Sequence, residues 1–289
     1  MRSRLSCRAD GRLRPGIVYN EGAKMKNLFF ENTLKEKMKK RPVFGITIYT
    51  KSPQIIEVLG YQGFDFAFID AEHCPWEVTD LAEAVLAARL AGVSPLVRVT
   101  DPNMIEIRKA LEMGAEGVII PHVHNKEEME LCVKAAKFPP LGRRGYDGNV
   151  RAAQYGVGLD GGSFIEHANE SELVIPMCED FEFTDNIEEV MNVPGVDAIN
   201  FGPADYSSSM NSHSFYDLSK GPANDALDLV LKYAGERNMG VMAPATPATY
   251  ESAKKLIDRG VNMVIMGNDL GHVSGALKRI HDETVAKFL

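Results

Sequence analysis

Two carboxylates stand just past the ends of short apolar runs. Glu179 closes Leu173-Val-Ile-Pro-Met-Cys-Glu179, and Asp205 closes Ala198-Ile-Asn-Phe-Gly-Pro-Ala-Asp205. In a parallel α/β protein the C-terminal ends of successive strands converge on one face, and ligands bind there. No basic residue lies between these two acids, so they read as oxygen ligands for a hard divalent cation. A third cluster, Phe68-Ile-Asp70-Ala-Glu72-His73, ends another apolar run in the same way.

This chemistry suits a carbonyl lyase. Such an enzyme stabilises an enolate with either a Schiff-base lysine or a divalent metal acting as a Lewis acid. The strand candidates contain no lysine, which favours the metal. Arg98, inside Pro95-Leu-Val-Arg98-Val, must find an anionic partner or be costly to bury, and it is the candidate cation for a developing oxyanion. The turn Gly202-Pro-Ala-Asp205 offers amide N–H groups to a substrate carboxylate. His73 is the candidate base, with Asp70 expected to orient its imidazole, and Glu72 is expected to accept hydrogen bonds from metal-bound water or backbone. His122 and His124 follow the run that ends at Pro121; strand alternation would turn only one of them, with His122 the candidate substrate contact, to the mouth. Cys178 reads as core, and no glycine-rich phosphate cradle follows the last two runs.

These groups need a scaffold, and the alternation along the chain supplies one. Eight strand candidates appear at Val43–Ile48, Phe64–Ile69, Pro95–Val99, Gly117–Pro121, Leu173–Cys178, Ala198–Phe201, Gly240–Ala243 and Met263–Met266. Amphipathic stretches such as Val78–Leu90, Met104–Met113 and Tyr250–Arg259 lie between them, several closed by glycine. The pattern predicts one (β/α)₈ barrel over residues 25–289, within the size such a barrel needs. The long segment from Pro139 to Gly162 is expected either to pack on its own barrel or to reach a neighbouring subunit.

Residues 1–24 carry Arg2, Arg4, Arg8, Arg12 and Arg14 and little apolar periodicity. They read as a leader outside the domain, either a transit peptide or, as favoured here, a start-site overcall with Met25 the true start. A net charge of −8 provides no basic field for nucleic acid or an anionic membrane. Four scattered cysteines suggest a reducing compartment, and a cytoplasmic location is expected.

Taken together, Ile69-Asp70-Ala-Glu72-His73, Val97-Arg98, Leu111-Glu-Met-Gly-Ala-Glu-Gly-Val-Ile-Ile-Pro121, Pro139-Pro-Leu-Gly-Arg-Arg144-Gly, Glu179 and Gly202-Pro-Ala-Asp205 resemble the HpcH/HpaI family of metal-dependent 2-oxo-acid aldolases. The resemblance implies a TIM barrel that swaps its C-terminal helix between protomers of a homo-oligomer, trimer or hexamer. It implies Mg²⁺, Mn²⁺ or Co²⁺ on Glu179 and Asp205, and pyruvate chelating that metal. The pyruvate carboxylate would rest on the Ala204 and Asp205 amides and its enolate oxygen at Arg98, with Asp70 and His73 taking part in proton transfer. The implied reaction cleaves a 4-hydroxy-2-oxo acid to pyruvate and an aldehyde. Some positions depart from the usual pattern: Met177 stands where a glutamine is typical, Thr47 lies where a tryptophan is common, and Glu112 replaces an aspartate. Ile-Pro-His122 and Arg143-Arg144 are similar to macrophomate synthase, which implies oxaloacetate decarboxylation through the same enolate as the rival activity. A barrel that only binds a small carboxylate is the reading from a different class.

Overall fold

Eight parallel strands close into a barrel in sequence order: β1 (Val43–Ile48), β2 (Phe66–Asp70), β3 (Ser94–Arg98), β4 (Gly117–Ile120), β5 (Leu173–Cys178), β6 (Ala198–Phe201), β7 (Gly240–Pro244) and β8 (Met263–Asn268). The computed structural model describes residues 33–289, so the expectations placed on residues 1–24 and on Met25 lie outside the described residues. Strands buried on both faces must be apolar on both, which is why the runs show no polar alternation. One set of side chains packs outward under the helices, including Ile69, Val97, Val118, Ile199 and Val264. The other fills the lumen, where Phe66, Leu96, Ile119, Leu173 and Met242 interdigitate.

Local signals set the connections. Ser52, Asn103, Asn125 and Thr249 cap the helices Pro53–Tyr61, Met104–Glu112, Lys126–Ala136 and Tyr250–Arg259 through their side-chain oxygens. Gly92, Gly114 and Gly260 adopt φ of 75°, 100° and 114° where the chain leaves a helix for the next strand.

The floor of the barrel is plugged by the helix Leu34–Met38, whose two end residues join the lumen cluster. Beneath them, buried charges pair across the bottom: Arg89 with Glu116 at 2.9 Å, Lys137 with Asp197 at 3.2 Å and Arg144 with Glu172 at 2.5 Å. The segment from Pro139 to Gly162 packs on its own chain. Phe138, Ala152, Ala153 and Phe164 form a small core there, and the Arg144 guanidinium stacks 4.7 Å from the Phe138 ring.

The last helix behaves differently. Asp269–Glu283 buries only Asp269, while Leu270, Val273, Leu277 and Ile280 are about half exposed on one face. No helix among the described residues is long and apolar enough to cross a membrane.

Candidate active site

The open ends of the strands surround a cavity of about 550 Å³ lined by His73, Arg98, Met177, Asn200, Ala204 and Asp205, among others. Arg98 is the last residue of β3 and Asp70 the last of β2, and the two are direct partners in the parallel ladder. That register decides their pairing. Asp70 Oδ1 accepts from Arg98 Nε at 2.9 Å and Oδ2 from Nη2 at 2.5 Å, a bidentate fork with both groups buried. Arg98 Nη1 lies 2.8 Å from Glu72 Oε2, a charge contact without hydrogen-bond alignment. Burial alone would lower the guanidinium pKa, but Asp70, Glu72 and Glu179 together raise it, so the cation is permanent.

The expected orientation of His73 by Asp70 is not what the structure holds. Asp70 lies within β2 rather than beyond its end, and its carboxylate is committed to Arg98. It touches His73 only by accepting the backbone N–H at 3.3 Å. The half-exposed imidazole instead has Glu72 Oε2 at 3.6 Å from Nε2. Glu72 is therefore the hub of the site, in reach of Arg98, His73 and His122.

Glu179 follows β5 and is 1% exposed. Its carboxyl fits because residue 202 is glycine: a Cβ there would stand 3.0 Å from Glu179 Cβ and 3.3 Å from Oε2. Burial pushes the Glu179 pKa up to about 7, and the charges of Glu72 and Asp205 push the same way, against the His122 N–H and imidazole. Asp205 sits in the first turn of the helix Pro203–Ser209, exposed to the cavity, beside amides that have no intrahelical acceptor. A third strand-end acid makes the contrast. Asp269 is saturated by Tyr49 N, Thr50 N and Leu270 N at 2.8–3.0 Å, so it holds backbone and not a ligand. Glu72, Glu179 and Asp205 outnumber the single guanidinium among them. This excess of hard oxygen donors fits a hard divalent cation, which Glu179 and Asp205 could hold.

Both histidines after β4 turn toward one residue, contrary to the alternation expected. The chain has left the strand at Ile120, and His122 adopts φ 51°, so the period of two no longer applies. The His122 N–H donates to Glu179 Oε1 at 2.9 Å, while its ring faces Asp180 and Glu72. Cys178 is fully buried with its thiol pushed well above the ordinary range, first by burial and then by Glu179, which removes it as a nucleophile.

Asn200 is a site residue that sequence reasoning passed over. It is 2% exposed on β6, directly across from Met177 on β5, and its Oδ1 has no hydrogen-bond partner among the described residues. The available signal was an amide inside a buried apolar run.

A family model described as HpcH/HpaI aldolase/citrate lyase matches residues 44–276. The chain belongs to that family. Membership places it among carbon–carbon lyases. It is 38% identical over 164 residues to a 2-dehydro-3,6-dideoxy-6-sulfogluconate aldolase of Pseudomonas putida, a match spanning 57% of this chain and 63% of that enzyme. It is 27% identical to the 5-keto-4-deoxy-D-glucarate aldolase of Escherichia coli strain K12, over 89% of this chain and 98% of that enzyme. Among solved structures, citrate synthase SbnG superposes with a TM-score of 0.77 at 30% identity, covering 88% of this chain and 98% of that one. Macrophomate synthase, at 22% identity and a TM-score of 0.75 over 90% of each chain, shares the fold. In this HpcH/HpaI chain the family match runs from β1 into the last helix and includes every residue of the cavity floor and rim described above.

Proposed function

We propose that the protein is a divalent-cation-dependent aldolase that cleaves a 4-hydroxy-2-oxo acid to pyruvate and an aldehyde. The observation that carries this reading is the placement of Asp205 and the permanent cation Arg98 on one cavity wall, with the carboxyl of Glu179 buried directly behind Gly202 of the same wall. The cation, when bound, would act as a Lewis acid on the 2-oxo group. The first-turn amides of Ala204 and Asp205 hold the substrate carboxylate, as does any helix N-terminus offered an anion. His73 removes the proton from the 4-hydroxyl, directly or through a water. The C3–C4 bond then breaks, the aldehyde leaves, and the electron pair passes to the carbonyl oxygen to give the enolate of pyruvate. Arg98 stabilises the oxygen on which charge develops, and a proton delivered to C3 completes pyruvate. Asp70 and Glu72 fix the guanidinium in one orientation, so no reorganisation is needed as charge forms. Free buried thiols at Cys132 and Cys178 suit a reducing, cytoplasmic setting.

Exchange of pyruvate α-protons with D₂O in the presence of Mn²⁺ tests this chemistry without knowledge of the aldehyde. Absence of exchange in the wild-type protein would favour a barrel that only binds carboxylates. Arg98→Ala should slow exchange by roughly 10²–10³, the value of one oxyanion donor. Arg98→Lys should not restore it, because an ammonium cannot make the Asp70 fork and reach the substrate as well. Near-normal exchange in Arg98→Ala would reassign the residue to structure.

The exposed apolar face of the last helix supports a homo-oligomer that exchanges it. The outer wall of β1 and β8 leaves an apolar groove of about 440 Å³ lined by Phe44, Ile46, Phe64, Ala248, Met266 and His272. A second copy's helix, through Val273, Leu277 and Ile280, has the matching apolar face. Leu277→Glu is expected to reduce the oligomer to smaller species in sedimentation velocity, and an unchanged mass would remove this helix from the interface.

A further inference from the structure

Outside the Glu179–Asp205 pair, a second set of ligating atoms converges at the barrel rim. His122 Nδ1 lies 3.0 Å and His124 Nε2 3.1 Å from the same oxygen, Asp180 Oδ2. All three atoms lie within 4.8 Å of one another. The far nitrogen of each ring also faces a carboxylate: His122 Nε2 is 3.2 Å from Glu72 Oε1, and His124 Nδ1 is 3.8 Å from Glu128 Oε2. A neutral imidazole has one N–H and one lone pair. If each N–H points to its outer carboxylate, both lone pairs point at the Asp180 oxygen, and three electron-rich atoms face one another with nothing between them. In that tautomer the three atoms are set to share one cation, whereas with the N–H groups turned inward they make two ordinary hydrogen bonds to Asp180.

A carboxylate on the distal nitrogen is what orients a metal-binding histidine; Glu72 stands there for His122, and Glu128 is a longer charge contact for His124. Its supports are built in. Glu128 also accepts the His124 N–H at 2.8 Å, and Asn186 Nδ2 donates to the His124 carbonyl at 3.0 Å. Metal–ligand bonds of about 2.0–2.2 Å set tetrahedral ligand separations near 3.3 Å, so the two spacings to Asp180 need only a small expansion. The imidazole side chains are 45% and 38% exposed, which leaves room for water in the remaining coordination positions.

We propose that His122, His124 and Asp180 form a second divalent-metal site, selective for a transition ion such as Zn²⁺, Co²⁺ or Ni²⁺. Two imidazoles and one carboxylate suit those borderline ions, whereas the all-oxygen pair Glu179–Asp205 suits Mg²⁺. An ion here ties the loop after β4 to the loop after β5. It thereby steadies Glu179, which is held by the His122 N–H on one side and is the neighbour of Asp180 on the other. The site requires only these side chains and stands independently of the aldolase reading.

The test uses the full chain, stripped with chelator and then saturated with Mg²⁺. Co²⁺ is titrated while heat and visible absorption are followed. One Co²⁺ per chain with a nitrogen-ligand spectrum is expected, and the same result in Glu179→Gln, where the oxygen site is lost. His124→Gln should weaken Co²⁺ on the order of 10²-fold or more, since loss of a supporting partner alone costs 10–100-fold. Asp180→Asn should act alike, with unchanged circular dichroism confirming the fold of both variants. Co²⁺ binding that Mg²⁺ displaces and Glu179→Gln abolishes, or binding indifferent to His124→Gln and Asp180→Asn, would overturn the proposal. Failure of pyruvate exchange would overturn the aldolase reading and leave this site untouched.

Discussion

Glu179→Gln is expected to lower aldol cleavage by about 10³-fold or more while leaving the fold intact. A Lewis acid at the carbonyl supplies several kcal/mol of transition-state stabilisation, and each 1.36 kcal/mol is about tenfold in rate. Asp205→Asn should follow it, and exhaustive chelation should reproduce both losses reversibly. The amide keeps the shape of Glu179 and can still accept the His122 N–H, yet it removes a buried charge that Glu72 and Asp205 repel. Thermal unfolding of the metal-free variant should therefore occur no lower than that of the metal-free parent. Steady-state turnover with and without added Mn²⁺, together with a melting curve, checks both halves. Full turnover after chelation would end the metal mechanism, and a lower melting temperature would mean that Glu179 serves packing as well.

His73→Ala is expected to separate the two lyase chemistries. Aldol cleavage needs a base for the 4-hydroxyl proton, and His73 lines the cavity with a carboxylate, Glu72, 3.6 Å behind its imidazole. Loss of a general base costs roughly 10²–10⁴ in rate. Oxaloacetate decarboxylation releases CO₂ without a proton transfer, so it should fall far less. Both rates are measured on one enzyme preparation with the two substrates. Equal losses would assign His73 to the shape of the site. Brisk decarboxylation with no aldol cleavage in the unmutated protein would make the decarboxylase the main activity.

Much of this was legible along the chain because it depends on local physics. Strands covered on both faces require continuous apolar runs, so β1, β5 and β6 lie where the runs predicted them and β7 and β8 extend one or two residues further. The helices Val78–Leu90 and Tyr250–Arg259 match their periodic stretches end to end. Chemistry at strand ends follows from parallel topology, which is why Glu179, Asp205, Arg98 and His73 could be singled out before their neighbours were known. Departures from the simple pattern were also readable in kind: an arginine in a core strand had to have an acid, and it does.

What the chain could not disclose was which acid. Asp70 is three residues from His73 but 28 from Arg98, and proximity in sequence favoured the wrong partner. Cross-strand register made the choice, since Asp70 and Arg98 are opposed in the ladder and a guanidinium fork matches a carboxylate better than one imidazole nitrogen does. The convergence of His122 and His124 likewise depends on a backbone that has left its strand at φ 51°, a turn no hydrophobic period records. Asn200 stood out along the chain only as an amide in an apolar run; closure of the barrel set it at the cavity and left its Oδ1 without a partner among the described residues. The sequence by itself determined the elements, their order and the residue types at the strand ends, because burial and chain periodicity act over a few residues. Tertiary structure alone decided the pairings among those groups, because they are set by register and rotamer between segments tens of residues apart.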